Sequence, residues 1–418
     1  MNRLEKLVYD ILKKNPAVKS AVRDVYQRIF DLIPDRRSWS KNPVTVREGY
    51  FFGFHDHSPF SADNKKMLAN KYLIPLRMPG EGDLLEIGYF TGTNWEHFIP
   101  LMKTSAWNWH QGCKLQWRGN SNEFLFNDHQ KGKNITRIYD TTSNTSRIIP
   151  EAISSVSGDG RYAVGYSFAR VERYMPGYGY PRDTDEPELD KPVTSKTGIY
   201  SVDLESGEVR NLLNITDMAG TEPDDSMKGA FHFFSHALFS PSGSRFVFLH
   251  RWIKGRNVQN RFSRLVSVDV EGNELYIFPT QGMVSHLGWK NDKEVLAYCR
   301  VAGRDGYYLF RDRDMLRYRM IGTNVLLSDG HPSFSPDERC IVTDTYPDRT
   351  RRMSLFIYDL EQESLEKVGY FLHPRRYQSS DPYKSWRCDL HPRWDQSGKV
   401  VSFDSVHSGE RALCTMQV

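Results

Sequence analysis

The segments HPSFSPDERCIVTDTY (331–346) and HPRWDQSGKVVSFDS (391–405) decide how this chain folds. Each begins with a histidine and reaches an aromatic three residues later. Each then passes a polar turn and enters a run of alternating apolar residues. HALFSPSGSRFVFLH (236–250) and HSPFSADNKKMLAN (57–70) repeat the pattern, and HLGWKNDKEVLAYCR (286–300) keeps its histidine and its Trp289. Two weaker copies, KLQWRGNSNEFLFND (114–128) and ISSVSGDGRYAVGYS (153–167), fill the gap. Self-similarity at this spacing is the signature of a repeat architecture, in which each unit is one supersecondary element stacked on the next.

Further strands follow each paired run, such as SLFIYDL (354–360) and SLEKVGYF (364–371), or TGIYSVDL (197–204) and GEVRNLLN (207–214). Period-two alternation bounded by Gly, Asp, Ser and Asn marks strands and hairpins. Seven starts with four strands each define an all-β chain, a seven-bladed β-propeller. The last unit has only three strands before the chain ends at RALCTMQV (411–418). VTVREG (44–49) is expected to supply the missing outer strand, closing the ring and leaving no free sheet edge. Residues 41–418 then form the propeller and residues 1–40 a separate basic helical extension. In the latter Leu4, Leu7, Val8, Ile11 and Leu12 recur at helical spacing, as do Val18, Val22, Val25 and Ile29, with Pro16 between the two runs.

Composition bounds the function. Apolar residues make up 39% and aromatics 13% of the 418 residues, enough for a real core. The net charge of +4, from 56 basic and 52 acidic side chains, argues against a nucleic-acid binder. Five scattered cysteines form no C-x-x-C pair and suggest neither a disulfide framework nor a zinc ribbon. The N-terminal MNRLEKLVYDILKKNP lacks the apolar core of a signal peptide, and no apolar run is long enough to span a bilayer. A cytoplasmic protein is expected, with basic residues 1–35 either packing on the propeller or a second subunit, or docking on the inner face of a membrane or a membrane-bound partner.

Chemistry is expected at one mouth of the channel, where each inner strand begins. His57, His236, His286, His331 and His391 take the first position in five of seven repeats, with His55, His110 and His232 close by in sequence. One inner-strand histidine is readily explained as a lock between blades. Several converging on one axis would repel when protonated, and a divalent cation resolves that conflict. The insertions 72–83, 173–196, 217–234 and 251–262 fall in loops on the same face, rich in Arg, Tyr, Trp, Gly and Pro. Aromatic faces suit sugars and guanidinium groups suit carboxylates, although both also suit protein partners. No G-x-x-x-x-G-K-[ST], H-E-x-x-H or G-x-S-x-G motif competes.

Over the last two repeats, HPSFSPDERCIVTDTYPD (331–348) and RCDLHPRWDQSGKVVSFDSVHSGERALC (387–414), the chain resembles the oligogalacturonate lyase family and its propeller relatives. That resemblance implies a cytoplasmic seven-bladed propeller holding Mn²⁺ through inner-strand histidines and a glutamine, and cleaving short uronate chains by β-elimination. By blade, His331 and His391 match metal-ligand positions and His286 matches the base. The stretch Arg387-Cys388-Asp389-Leu390-His391 departs from the family, with no matching glutamine or His-x-His, and Asp389 stands in as an oxygen ligand or orients a histidine.

Elimination next to a uronate carboxylate needs that carboxylate neutralised and a base near neutrality. The expected metal set is His331, Asp389 and His391, with His57 as a further candidate. His236 or His286 is the candidate base, and Arg251 and Arg387 are candidate carboxylate clamps. His110, His232, Tyr178 and Trp252 are expected on the substrate surface. The substrate would be an acidic oligosaccharide or polysaccharide. The competing reading is a non-catalytic propeller that binds a glycan or a protein within a surface-polysaccharide system.

Overall fold

The computed structural model describes residues 37–180, 186–255, 258, 260–379, 381 and 383–418. The helices expected over 1–35 lie outside the described residues. Seven antiparallel sheets follow one another around an axis. Blade 1 runs from Tyr50–Phe51 to His97–Thr104, blade 2 from Gln116–Trp117 to Thr145–Ile149 and blade 3 from Ser155–Val156 to Val209–Asn214. Blade 4 spans Phe231–Phe239 to Tyr276–Ile277, blade 5 Val284–Asn291 to Tyr318–Ile321 and blade 6 Ser333–Phe334 to Ser364–Leu372.

Blade 7 closes the ring as its missing strand requires. Arg393–Trp394, Val400–Ser405 and Ala412–Gln417 come from the C-terminal end, and Val44–Glu48 pairs on the outside, with Val44 opposite Met416 and Glu48 opposite Ala412. One strand had not been expected. Trp39–Ser40 adds to the outer edge of blade 6, opposite Tyr370 and Gly369.

The repeated letters have identifiable jobs. In the polar turn a serine hydroxyl bonds the carboxylate two residues on and accepts an N–H from the returning strand. Ser61 does this with Asp63 and the Lys66 N–H, Ser157 with Asp159 and Tyr162, and Ser335 with Asp337 and Cys340. Such local bonds give the backbone a turn in place of a ladder. The aromatic at the fourth place reaches the preceding blade. Trp117 donates its indole N–H to Pro59 O at 2.8 Å, Trp289 to Leu238 O at 3.0 Å and Trp394 to Ser333 O at 3.0 Å. The fourteenth place caps the next blade's inner strand. Asn127 binds the Ile153 N–H, the Tyr166 hydroxyl that of His236, and Asp344 those of Leu390 and His391.

Between the sheets the alternating apolar residues interlock. Leu68, Ile87, Phe124 and Phe126 join blades 1 and 2, and Val164, Ile199, Phe233 and Phe246 join blades 3 and 4. At about 1.5–3 kcal/mol for each fully buried side chain of this size, the ring is held by such seams and not by its short helices. Those helices are Phe168–Tyr174, capped by Ser167, and Ile215–Gly220, capped by Asn214. The five cysteines are free thiols. No helix among the described residues is long and apolar enough to cross a membrane.

Candidate functional site

Histidines converge on the axis because the inner strands bend as they enter the channel. His236 and His391 adopt left-handed backbone conformations, φ 56° and 46°. Register shifts between Ser235 and Leu238 and between Val284 and Leu287 bracket His236 and His286. A bulge of this kind turns a side chain out of the strict two-residue alternation. Ring centroids lie 4.1 Å apart for His286 and His331, 4.3 Å for His331 and His391, and 5.4 Å for His55 and His331.

In the middle stands Phe54, with ring centroids 4.5 Å from His55, 4.9 Å from His391 and 5.1 Å from His236. The side chain belongs to the chain arch of blade 1, between Phe51 and Phe60, and it is buried. Phe54 lies outside the sequence repeat, so the alignment gave no sign of it.

His331, Asp389 and His391 form the tightest set, one ligand atom from each lying within 4.8 Å of the others, and all three are buried. His331 Nδ1 sits 2.8 Å from Asp344 Oδ1, leaving Nε2 for a ligand. Burial alone would push its imidazole down, but Asp344 overcomes this and raises it above its ordinary value. Burial would raise the Asp389 carboxyl, yet Arg387 holds it well below the usual range. That arginine grips Asp389 through Nε at 2.7 Å and a second nitrogen at 2.8 Å, with Tyr346 beneath its guanidinium at 4.7 Å. Burial, followed by the charges of His331 and His55, pushes the His391 imidazole well below its ordinary value. Two neutral-capable imidazoles and one ionised carboxylate are a donor set that fits a divalent cation of the borderline type. An imidazole whose other nitrogen is tied to a carboxylate, as His331 is to Asp344, is the usual arrangement around such an ion.

His286 lies next to this set. Its Nδ1 is 3.0 Å from Asp329 Oδ1, and Ser285 Oγ donates to the other oxygen at 2.7 Å. Burial lowers its imidazole and Asp329 opposes the shift. Asp329 thus fixes the ring through Nδ1 and leaves Nε2 without a hydrogen bond among the described residues, as a general base needs.

The other expected residues separate into two groups. Arg251, His110, Tyr178, His236 and Arg387 are at the mouth. Arg251 is 8% exposed and donates Nε to Ser235 Oγ at 2.9 Å. His110 stacks on Tyr178 with centroids 4.3 Å apart and bonds Ser385 Oγ at 2.7 Å. His57, His232 and Trp252 are not brought to the cluster. His57 Nε2 is bonded to Ser154 O at 3.1 Å, locking blade 1 to blade 3. Trp252 is 1% exposed, donates to Ser226 Oγ and packs on Met227 and Ala230, so it offers no face to a ligand. His232, equally buried, bonds His250 at 2.8 Å inside the wall of blade 4. Alternation on the long second strand, Arg245–Ile253, sends Arg251 to one face and Trp252 to the other.

Sequence reasoning did not single out Asp329, Asp344, Tyr346 or Phe54. Asp344 was findable, since the fourteenth place of the repeat is polar in most copies. Asp329 precedes its repeat, and Tyr346 ends its repeat just past the strand, at a place where the copies have no one residue type in common.

The fold and its axial histidines define a seven-bladed propeller with a polar cluster at one mouth. Among solved structures the chain is similar to an oligogalacturonate lyase in complex with manganese, with a TM-score of 0.61 at 12% identity over 91% of this chain and 96% of that one. It is also similar to the oligogalacturonate lyase of Vibrio parahaemolyticus, with a TM-score of 0.59 at 13% identity over the same shares. The tricorn protease follows at 0.51 and 12% identity, over 91% of this chain but 34% of that one. At these identities the likeness is one of fold. No protein-family model and no curated protein matches the chain.

Proposed function

We propose that the protein is a divalent-metal-assisted carbon–oxygen lyase that cleaves acidic oligosaccharides by β-elimination beside a uronate carboxylate. The observation that carries this reading is the convergence of His331, Asp389 and His391 within 4.8 Å, next to a histidine already aligned by Asp329. The similar fold of a lyase solved with manganese supports that metal as the first to test.

Bound by His331, His391 and Asp389, the cation would supply positive charge against the substrate carboxylate and so acidify the neighbouring C–H. His286 takes that proton on Nε2, and Asp329 stabilises the imidazolium that results. Arg387, held by Asp389 yet 37% exposed, faces the carboxylate from the open side. The departing oxygen needs a proton, and this reading assigns it to the Tyr346 hydroxyl, whose ring lies 5.6 Å from that of His331. His236 is the second candidate for the base, but no carboxylate among the described residues aligns it. Arg251 is left for a further acidic group of the substrate. The reaction is expected in the cytoplasm, with residues 1–35 as the proposed contact to a membrane or protein partner.

A second reading, a propeller that binds a glycan or a protein without turning it over, draws support from a different observation. His55 Nδ1 is bonded to Pro332 O at 2.9 Å, His57 to Ser154 O, and Phe54 fills the space between the rings. To separate the two, manganese-loaded protein is incubated with short oligouronides. The lyase reading expects an unsaturated, ultraviolet-absorbing product that His286→Ala abolishes while metal content is unchanged. Oligouronide binding with no unsaturated product would leave the binding propeller.

A further inference from the structure

Every buried arginine in the described structure except one meets at least one carboxylate or carbonyl oxygen. Arg245 meets Asp312 and Glu274, and Arg393 meets Asp404. Arg170 is wrapped by the carbonyls of Glu188, Leu189, Lys191, Pro192 and His232. Arg47 has Asn94 O, Trp95 O and Thr415, Arg264 has Met218 O and Glu222 O, and Arg411 has Trp109 O, Trp386 O and Arg387 O. Arg351 reaches Gln378 and has further contacts. Arg393 and Arg411 keep nitrogens without a hydrogen bond, yet each has an oxygen of negative or partly negative charge against it, as burial of a group that stays charged demands.

Arg251, 8% exposed, has one protein acceptor, the Ser235 hydroxyl on Nε, and its two terminal nitrogens have none among the described residues. A second arginine stands beside it. Arg251 pairs with Ser263 and Arg261 with Ile253 across the same two strands, which puts both arginines on one face as diagonal neighbours. Among the described residues Arg261 donates only to Val258 O, at 3.0 Å. The described groups that sense this pair most strongly are His236 and the phenols of Tyr166, Tyr178 and Tyr346, none of them a carboxylate. Two adjacent positive charges, with no ion-pair partner among the described residues, are held together at the mouth, against Tyr178, which also senses Arg387 and Asp389.

We infer that Arg251 and Arg261 form an anion locus beside the His331–Asp389–His391 cluster, built for a doubly charged tetrahedral oxyanion, a phosphoryl group. One carboxylate would leave a buried positive charge uncompensated. A phosphate monoester carries about −1.5 to −2 at neutral pH and offers three terminal oxygens to two guanidinium forks. The locus itself does not depend on the lyase reading. That reading adds only that the phosphoryl group would ride on the acidic sugar.

The test uses the full chain stripped with a chelator, so that no cation captures the anion. Inorganic phosphate, glucose 6-phosphate and sodium galacturonate are titrated calorimetrically at one pH and ionic strength. Phosphate is expected to bind at least about tenfold more tightly than galacturonate, and Arg251→Gln and Arg261→Gln are each expected to weaken it by about tenfold or more. Arg261 is partly exposed with one carbonyl bond, so its variant keeps the fold and carries the test even where Arg251→Gln does not. Tighter binding of glucose 6-phosphate than of phosphate assigns the group to a sugar ester, and the reverse assigns it to the free ion, both at the inferred locus. Failure to bind phosphate, equal affinity in folded Arg261→Gln, or galacturonate binding as tightly as phosphate would overturn the inference. Metal uptake by the same protein is measured separately, so the loss of one site is not mistaken for loss of the other.

Discussion

His331 Nδ1 lies 2.8 Å from Asp344 Oδ1, and the same carboxylate receives the backbone N–H groups of His331, Leu390 and His391. One side chain thus aligns one expected ligand by its ring and two successive blades by their backbones. Asp344→Asn keeps the shape and removes the charge. It is expected to lower manganese affinity by roughly 10–100-fold, as removing the outer partner of a ligating histidine does. Equilibrium dialysis of the folded variant against wild type checks this.

Asp329 bears the same relation to His286, with a different consequence. It opposes the downward push of burial on that imidazole. Asp329→Asn is expected to lower the imidazole further, moving the acid limb of the pH–rate profile to lower pH and slowing turnover by roughly 10²-fold or more. Metal content stays unchanged, which separates this effect from damage to the cluster.

A buried chain in blade 4 predicts acid sensitivity. Arg264 donates to His250 Nδ1 at 3.1 Å, so His250 donates from Nε2 to His232 Nδ1, and His232 donates to Met227 O. Both rings are therefore neutral. Burial pushes His232 down to about 4, and His250 lower than usual. The unfolded chain binds these protons more readily, so the stability is full above about pH 6.5 and is lost as pH falls toward 4. For His232 alone the loss is roughly 3 kcal/mol. Urea midpoints measured across that window should fall with pH, and His232→Gln should flatten the slope.

Trp394→Phe tests the latch between blades. Phenylalanine already occupies the equivalent place in blades 1, 4 and 6, so the shape is tolerated. Only the N–H to Ser333 O is lost, at a cost of about 1 kcal/mol, more if the carbonyl stays dry. A thermal midpoint unchanged from wild type would mean that the latch contributes nothing.

The blades were legible because their letters do repeated physical work. The Ser-x-Asp turn, the indole latch and the polar fourteenth residue each recur in several blades, where they turn, join or cap, and the closing strand followed from one blade being a strand short. The site was legible only where it fell on the repeat. His331 and His391 open their repeats and meet. His57 opens its repeat too, but the arch of blade 1 carries it to Ser154 O. Bulges at His236 and His286 break the two-residue period on which a facing argument rests. Trp252 was expected to face the ligand from its place in a loop, whereas the second strand of blade 4 continues through it to Ile253 and turns it inward. Asp329 and Phe54 come from segments with no counterpart in other blades, and Tyr346 ends its repeat at a place where the copies differ, so similarity within the chain does not bring them forward.

His331, Asp389 and His391 are proposed to hold a divalent cation. Elemental analysis of the purified protein offered manganese, wild type beside His331→Ala and His391→Ala, tests this proposal most directly. Near-stoichiometric metal in the wild type, lost in both folded variants, is the predicted result. Folded wild type without metal, or variants that retain it in full, would contradict the account.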